Sequence, residues 1–189
     1  MFYYYYCYYD KEHELALNEQ EFRDSLCHRY NLALPNLPSL CACGDTFTVN
    51  YALSCKKGGF VAQRHDTIRD LLTLHISKVC KNVETEPLLQ PIDNEVCTDL
   101  QSTVASEEAR LDMKAGGFWT PGITAFFNVR VTHINSHSSQ GKSTATIFRE
   151  QENEKNRKYN QRVMDVEMGT FTTLVFGTNE GIGANFQNF

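Results

Sequence analysis

The sequence predicts a mixed α/β domain (α+β), in which a central mixed sheet is flanked by helices and preceded by a small helical, cysteine-bearing segment. Residues 61–81 repeat apolar side chains at spacings of three and four, which is typical of a helix that packs on one face. Residues 125–133 alternate between two sets of side chains, which is typical of a strand. A chain of 189 residues, 41% of them hydrophobic, is long enough to bury the core of such a domain.

The remaining elements follow in chain order. Residues 1–17 begin with a tyrosine-rich run without hydrophobic period, so we expect low-complexity, disordered chain there. Residues 18–30 start with a capping asparagine and early acids and place Phe22, Leu26 and Tyr30 on one helical face. We predict strands at 82–87, 110–114 and 171–176 and a mostly exposed helix at 148–164. Residues 18–60 then form a helix, a linker and a cysteine-bearing module, and residues 61–189 form the sheet domain.

Composition and charge limit the classes of protein. No stretch approaches the roughly 20 apolar residues of a membrane span, and the first ten residues lack the features of a signal peptide. We therefore expect a soluble intracellular protein without a membrane partner. The formal net charge of −5 gives no global reason to expect nucleic-acid binding, so any such site must be local.

One local stretch is basic. Between residues 55 and 81, six basic side chains stand against two acidic ones: Lys56, Lys57, Arg64, Arg69, Lys78 and Lys81 against Asp66 and Asp70. This stretch is a candidate phosphate-facing surface. The alternative is an ordinary solvated helix face.

The cysteines suggest metal binding or free thiols. The chain has seven, an odd number that suits a reducing compartment better than a disulfide framework. Cys41, Cys43 and Cys55 offer three thiolates, whereas tetrahedral zinc needs four ligands. A zinc knuckle would place histidine at position 51, but Tyr51 stands there, and a neutral phenol is a poor zinc ligand. His65 or Cys27 could complete the site, or the three cysteines could be half-buried free thiols without metal.

Two polar residues on successive predicted strands are the most informative feature. Asp112 lies on one short strand, and the next strand carries Asn128. Two acids in this arrangement would face one cleft and share a divalent cation, which prefers anionic oxygens. Since Asn128 is an amide, the second charge is missing.

Several motifs resemble a known family through their joint order. They are Cys41-x-Cys-Gly, Ala52-Leu-Ser-Cys-Lys-Lys-Gly-Gly-Phe, Arg64-His-Asp-x-Ile-Arg-Asp-Leu-Leu, Glu86-Pro-x-Leu-Gln-Pro, Ala109-Arg-Leu-Asp, Gly117-Phe-Trp, Ala125-Phe-Phe-x-Val-Arg-Val and Lys158-Tyr-Asn-x-Arg-Val. Over about residues 18–183 the chain resembles the carboxy-terminal part of invertebrate non-LTR retrotransposon polyproteins. In that family a zinc knuckle follows the reverse transcriptase and precedes a restriction-like endonuclease of the P-D-(D/E)-x-K class. The resemblance implies a tail fragment of such a polyprotein.

The resemblance implies a role for each matching residue. Asp112 and Glu86 would hold Mg²⁺ or Mn²⁺, with Glu84 as an alternative to Glu86. Asn128 falls on the second acid, and the catalytic lysine would be Lys155 or Lys158. Cys41, Cys43 and Cys55 would be the zinc ligands of a degenerate knuckle. The DNA-binding residues would be Lys56, Lys57, Arg64, His65, Arg69 and Arg130. The partner would be DNA, or RNA, and the compartment the nucleus; the oligomeric state is left open.

Each candidate also has a structural alternative. Asp112 could cap the loop at residues 116–117, and Glu86 could be an ordinary strand-edge acid. Lys155 and Lys158 could be solvated helix charges paired with Glu152 and Glu154. The pair Phe118-Trp119 suits core or turn packing better than base stacking.

Three functions stay open. The first is a metal-dependent DNA endonuclease impaired by Asn128. The second is a catalytically inactive nucleic-acid-binding relic, and the third is a non-functional gene-model product. Asn128 and Tyr51 together favour the second or third over the first.

Overall fold

The computed structural model describes residues 18–30, 32–57, 60–90, 110–134, 136, 139–178 and 181–187. Residues 1–17, which the sequence predicts to be disordered, lie outside this part of the chain. The elements in chain order are α1 (Glu19–Arg29), α2 (Val49–Ser54), α3 (Phe60–Ser77), β1 (Lys81–Thr85), β2 (Met113–Gly116), β3 (Thr124–Thr132), α4 (Thr144–Asp165), β4 (Thr170–Gly177) and α5 (Ala184–Gln187).

The four strands form one mixed sheet in the order β1-β2-β3-β4. The first two pairs are antiparallel, and β3 and β4 are parallel, with Asn128 opposite Thr173. Parallel neighbours need a crossover connection, and α4 supplies it. The predicted mixed sheet is confirmed.

A helix covers each face of the sheet. On one face, Ile68 and Ile76 of α3 pack with Phe127 and Val129 of β3. On the other face, α4 packs against Phe126 through a second buried cluster. Because neighbouring strand residues point to opposite faces, the alternation in β3 serves both helices.

Several predicted boundaries were wrong. The strand predicted at 82–87 ends at Thr85, and the helix predicted at 148–164 begins at Thr144. The helix predicted at 61–81 ends at Ser77, because Lys81 pairs with Gly116 and begins β1. Val79, which was assigned to the apolar face of that helix, is 80% exposed. The strand predicted at 110–114 begins at Met113, so Asp112 stands just before β2.

The N-terminal helix α1 has its predicted cap. The Asn18 side chain accepts from the backbone N–H of Glu21 at 2.9 Å, and the Glu21 carboxylate accepts from the backbone N–H of Asn18 at 2.9 Å. Its predicted apolar face is less buried than expected, since Phe22 is 53% and Tyr30 is 67% exposed. The predicted helix is confirmed, whereas close packing of its apolar face is not.

The long helix α4 is polar, as predicted, except along the stripe that faces the sheet. Its buried residues are Ile147, Phe148, Glu152, Tyr159 and Val163.

Within the described part of the chain, every helix is too short or too polar to cross a membrane.

Phe118 and Trp119 take part in turn packing, as the sequence suggests. Phe118 makes edge contacts with Trp119 and with Phe127, at ring-centroid distances of 4.7 and 5.2 Å. The indole N–H of Trp119 donates to Thr172 Oγ1 at 3.2 Å. These contacts attach the β2–β3 loop to the sheet.

Candidate functional site

A cleft of about 340 Å³ lies where the beginning of α3, the middle of β3 and α4 meet. Its polar lining includes seven of the predicted site residues: Lys56, His65, Glu86, Asp112, Asn128, Arg130 and Lys155. Arg110 is a further basic residue of the lining. The fold therefore brings together side chains that are up to about one hundred positions apart in the sequence.

The backbone of Asp112 connects two parts of the sheet. Its N–H donates to Phe127 O at 3.1 Å, and its carbonyl accepts from the N–H of Glu86 at 3.0 Å. These bonds hold the start of β2 between β3 and the end of β1. Since Asp112 precedes β2 and residues 116–117 follow it, the alternative that Asp112 caps that loop is wrong.

The Asp112 carboxylate is fully engaged by protein groups. Oδ2 accepts from Asn128 Nδ2 at 2.7 Å and from the backbone N–H of Val129 at 2.6 Å. Oδ1 lies 3.3 Å from His65 Nε2. Charge-assisted hydrogen bonds of this kind are stronger than neutral ones.

Asn128 acts toward Asp112 as a hydrogen-bond donor, which an ionised aspartate could not do. The residue is 7% exposed, and within the described chain its Oδ1 is buried without a hydrogen-bond partner. The amide orientation follows from the Nδ2 bond to Asp112. An aspartate at this position would bring two carboxylates into direct contact.

His65 makes contacts within the protein that its predicted role in DNA binding does not account for. Nε2 lies 3.1 Å from the carbonyl of Val129, besides its contact with Asp112, and Nδ1 lies 3.3 Å from Asp66 Oδ1. Both ring nitrogens thus face acceptors, an arrangement that suits the imidazolium form. Burial alone would lower the pKa of His65, but the hydrogen bonds and charges of Asp112 and Asp66 outweigh it and raise that pKa.

Glu86 lies in the cleft, but its charge is already countered. Its carboxylate lies 2.5 Å from an Arg69 nitrogen and 3.8 Å from an Arg110 nitrogen. Its φ of 49° places it in the left-handed region just after β1. The strand alternation therefore does not extend from Glu84 to Glu86, and Glu84 pairs with Lys114 at 2.6 Å. Glu84, the alternative to Glu86 as a metal ligand, does not line the cleft.

Of the two candidate lysines, Lys155 lines the cleft. Both ammonium groups lie against the ring of Tyr159, at 5.5 Å for Lys155 and 5.6 Å for Lys158. Burial, together with the charge of Arg130, lowers the pKa of Lys155. The geometry thus favours Lys155 over Lys158 as the predicted catalytic lysine.

Lys155 is not the solvated helix charge that the structural alternative assumed. Glu152, its proposed ion-pair partner, is buried and accepts instead from the backbone N–H of Asn185 at 3.3 Å. Burial, with the nearby charge of Asp112, also raises the pKa of Tyr159, which shares the cleft wall with Lys155.

The predicted basic stretch is divided among several places. Lys56 lines the cleft, and Lys57 is exposed beside it in sequence. Arg64 donates to Leu53 O at 2.8 Å, which joins α3 to α2, and Arg69 is held by acidic side chains. Lys78 and Lys81 lie beyond the other end of α3, whose 18 residues span about 27 Å. These residues therefore do not form one continuous surface.

The donor set is a poor fit for Mg²⁺ or Mn²⁺. Such a cation is usually held by one or two free carboxylates, with water completing a near-octahedral geometry. Asp112 is occupied by protein donors and by His65, and Glu86 is paired with Arg69. The orphan Oδ1 of Asn128 adds one neutral oxygen, which does not replace a carboxylate.

The cysteine cluster is a second candidate site. A tight turn, with Cys41 N–H donating to Asp45 O at 2.8 Å and Gly44 at a φ of 95°, presents Cys41 and Cys43. Cys55 follows α2, and the three sulfurs lie within 4.8 Å of one another. These three cysteines could hold a metal ion such as zinc.

Tyr51 lies against this cluster. Its hydroxyl is 2.8 Å from Cys43 Sγ and donates to Asp45 Oδ2 at 2.5 Å. The Asp45 bond, followed by the Cys43 contact, strongly raises the pKa of Tyr51. The hydrogen bonds that Asp45 accepts from Tyr51 and from the Cys43 thiol lower the pKa of Asp45. The suggestion that His65 completes the site was wrong, because His65 is committed to Asp112. Among the described residues, the metal-ligand group does not include Cys27.

The surroundings of Cys41 favour its protonated thiol. The backbone N–H of Cys43 favours the thiolate of Cys41, but desolvation and hydrogen bonds with the Cys43 and Cys55 thiols outweigh it and raise the pKa of Cys41. A bound cation must therefore displace protons.

No protein-family model and no curated protein matches this chain. The resemblance to retrotransposon polyproteins thus rests on the motifs and their order.

Proposed function

We propose that this chain is a nucleic-acid-binding domain descended from a metal-dependent DNA endonuclease, with a cleft that receives the phosphodiester backbone but cleaves it poorly. The observation that carries the proposal is the state of the Asp112 carboxylate. It is bound by Asn128, Val129 N–H and His65, in the place where a nuclease of this kind would bind its cation. Metal-free hydrolysis would lack the polarisation and activated water that the cation supplies.

The architecture supports a restriction-like core. Asp112 and Asn128 lie on neighbouring chain segments and contact each other directly. A basic residue, Lys155, enters the same cleft from α4, the helix that follows β3. The resemblance implies these relationships among acid, second ligand and lysine.

The charge of the cleft supports binding of an anion. Its lining includes four basic side chains, Lys56, Arg110, Arg130 and Lys155, and two carboxylates that are both engaged. The repulsion between Arg130 and Lys155 contributes to the lowered pKa of Lys155. A phosphate between the two cations would relieve that repulsion and favour the charged form. A chain with a net charge of −5 would thus present a local anion site.

The proposal is tested by the binding of short labelled DNA and RNA duplexes, followed by fluorescence anisotropy over a range of salt concentrations. We expect Lys155→Met and Arg130→Met each to weaken binding and to reduce the salt slope by about one phosphate contact. Lys142→Met is the matched control, because Lys142 pairs with Glu150 at the start of α4. Its affinity should equal that of the wild type.

Two outcomes would contradict the proposal. Equal affinity for the wild type and the Lys155→Met and Arg130→Met variants would show that the cleft does not bind phosphates. Strong Mg²⁺- or Mn²⁺-dependent nicking of plasmid DNA by the wild type, lost in Asp112→Ala, would show that the domain is an active endonuclease.

A further inference from the structure

We propose that Cys41, Cys43 and Cys55 form a three-coordinate thiolate site for a soft cation, of the type of Cu(I) or As(III), in place of four-coordinate zinc. The inference concerns only the cysteine cluster and does not depend on nucleic-acid binding.

The sulfur geometry suits one shared ion. All three sulfurs lie within 4.8 Å of one another, and Cys41 and Cys55 are 3.7 Å apart. Since metal–sulfur bonds are about 2.3 Å long for zinc, sulfurs of one site lie roughly 4 Å apart. Cys55 is buried and the other two are half-buried, so the site is shielded on one side.

The place of a fourth ligand is taken by a phenol that is committed elsewhere. The Tyr51 hydroxyl lies 2.8 Å from Cys43 Sγ and donates a hydrogen bond to Asp45 Oδ2. Ligation through this oxygen would need a phenolate, which would stand beside the Asp45 carboxylate and three thiolates. That accumulation of negative charge opposes the fourth bond.

Three sulfur ligands without nitrogen or oxygen favour soft cations. Thiolates select ions such as Cu(I), whereas zinc sites in proteins are almost always four-coordinate. Uptake of Cu(I) releases three thiol protons to solvent. Uptake of arsenous acid forms three As–S bonds and releases three water molecules, so neither reaction needs an oxidant or a reductant.

The test uses the full chain, reduced and kept free of oxygen, and loaded separately with Cu(I), arsenite or Zn²⁺ before dialysis against a chelator. We expect one copper or one arsenic per chain, with three sulfur neighbours and no oxygen or nitrogen neighbour by X-ray absorption. Zinc should fall well below one per chain. Cys43→Ser should lose the bound copper and arsenic, with an unchanged circular dichroism spectrum showing that the variant is folded.

Variants at position 51 and at Asp45 separate three-coordinate from four-coordinate binding. Tyr51→Phe should behave like the wild type, because the hydroxyl is not a ligand, whereas Tyr51→His should retain zinc. Full zinc retention by the wild type that is lost in Tyr51→Phe or Asp45→Asn would overturn the proposal, since an oxygen would then be the fourth ligand. Failure of copper and arsenic to bind would overturn it as well.

Discussion

Replacing Asn128 by aspartate should destabilise the metal-free protein and make its stability depend on a divalent cation. The substitution removes the 2.7 Å hydrogen bond to Asp112, and a bond to a charged group is worth about 1.5–3 kcal/mol. It also brings a second carboxylate against the first, where one of the two must take up a proton to avoid repulsion. Together these effects should lower the free energy of unfolding by about 3 kcal/mol or more.

Thermal unfolding with and without Mn²⁺ measures this effect. For a chain of this length, a loss of about 3 kcal/mol corresponds to a fall in Tm of roughly 6–12 °C. Two acids at the site can bind Mn²⁺, and a concentration of about 100 times Kd would return about 2.7 kcal/mol. The wild type should show little response to Mn²⁺, because Asp112 is already occupied.

Asn128→Ala is the control for the lost hydrogen bond alone. It should be destabilised without responding to Mn²⁺, because it introduces no second carboxylate. The reasoning is refuted if Asn128→Asp is as stable as the wild type without metal, or if Mn²⁺ stabilises the wild type and Asn128→Asp equally. The first result would mean that the hydrogen bond from the Asn128 amide to Asp112 contributes nothing to stability. The second would mean that the Asp112 carboxylate of the wild type is free to bind a cation.

Three further predictions concern stability. Because the pKa of His65 is raised in the folded state, the contribution of His65 to the free energy of unfolding should be complete below its ordinary pKa of 6.5 and be lost as pH rises through the raised folded value. In denaturant unfolding measured over a pH series, His65→Gln should flatten this part of the stability curve. Phe127→Ala should cost about 3–5 kcal/mol in urea unfolding, because the side chain is fully buried between the sheet and α3, and a smaller loss would contradict that packing. Gly183→Ala should lower Tm, because the added Cβ would meet the Glu152 carboxylate, and an unchanged Tm would show that Glu152 can move aside.

The longer helices and the strands could be predicted from local patterns, whereas the short helices α2 and α5 were not predicted. The apolar repeat between residues 61 and 77 marks the buried face of α3. The alternation in β3 identifies a strand but not a single buried face, because residues 125–129 are buried on both sides of the sheet. The end of α3 could not be predicted in this way. Val79 and Cys80 continue the helical spacing by chance, whereas the pairing of Lys81 with Gly116 ends the helix through a contact that is distant in sequence.

Seven of the predicted residues line the cleft, but strand order alone accounts only for the contact between Asp112 and Asn128. Asp112 and Asn128 meet because β2 and β3 are sequential antiparallel neighbours. The role of His65 depends on a contact across 47 positions, and the neutralisation of Glu86 depends on Arg69, which lies on a different element. The two acids that contact His65, at positions 66 and 112, can be seen in the sequence. No spacing rule, however, relates a helix residue to a strand end so many positions away.

The two departures from the expected ligand sets have the same physical consequence. At position 128 an amide stands where the resemblance implies an acid, and it donates to Asp112; at position 51 a phenol stands where the resemblance implies an imidazole, and it donates to Asp45 while it contacts Cys43. In both sites a neutral donor occupies the place of an expected ligand. Mg²⁺ beside Asp112 or four-coordinate zinc at the cysteines would have to break those hydrogen bonds, which each stabilise the protein by about 1 kcal/mol or more, whereas the three-coordinate thiolate site that we propose leaves the bond from Tyr51 to Asp45 in place. Restoring the ligand at 128 or at 51 removes that competition as well as adding a donor atom, and this is why a single substitution should be enough to recover Mn²⁺ binding at the first site or zinc binding at the second.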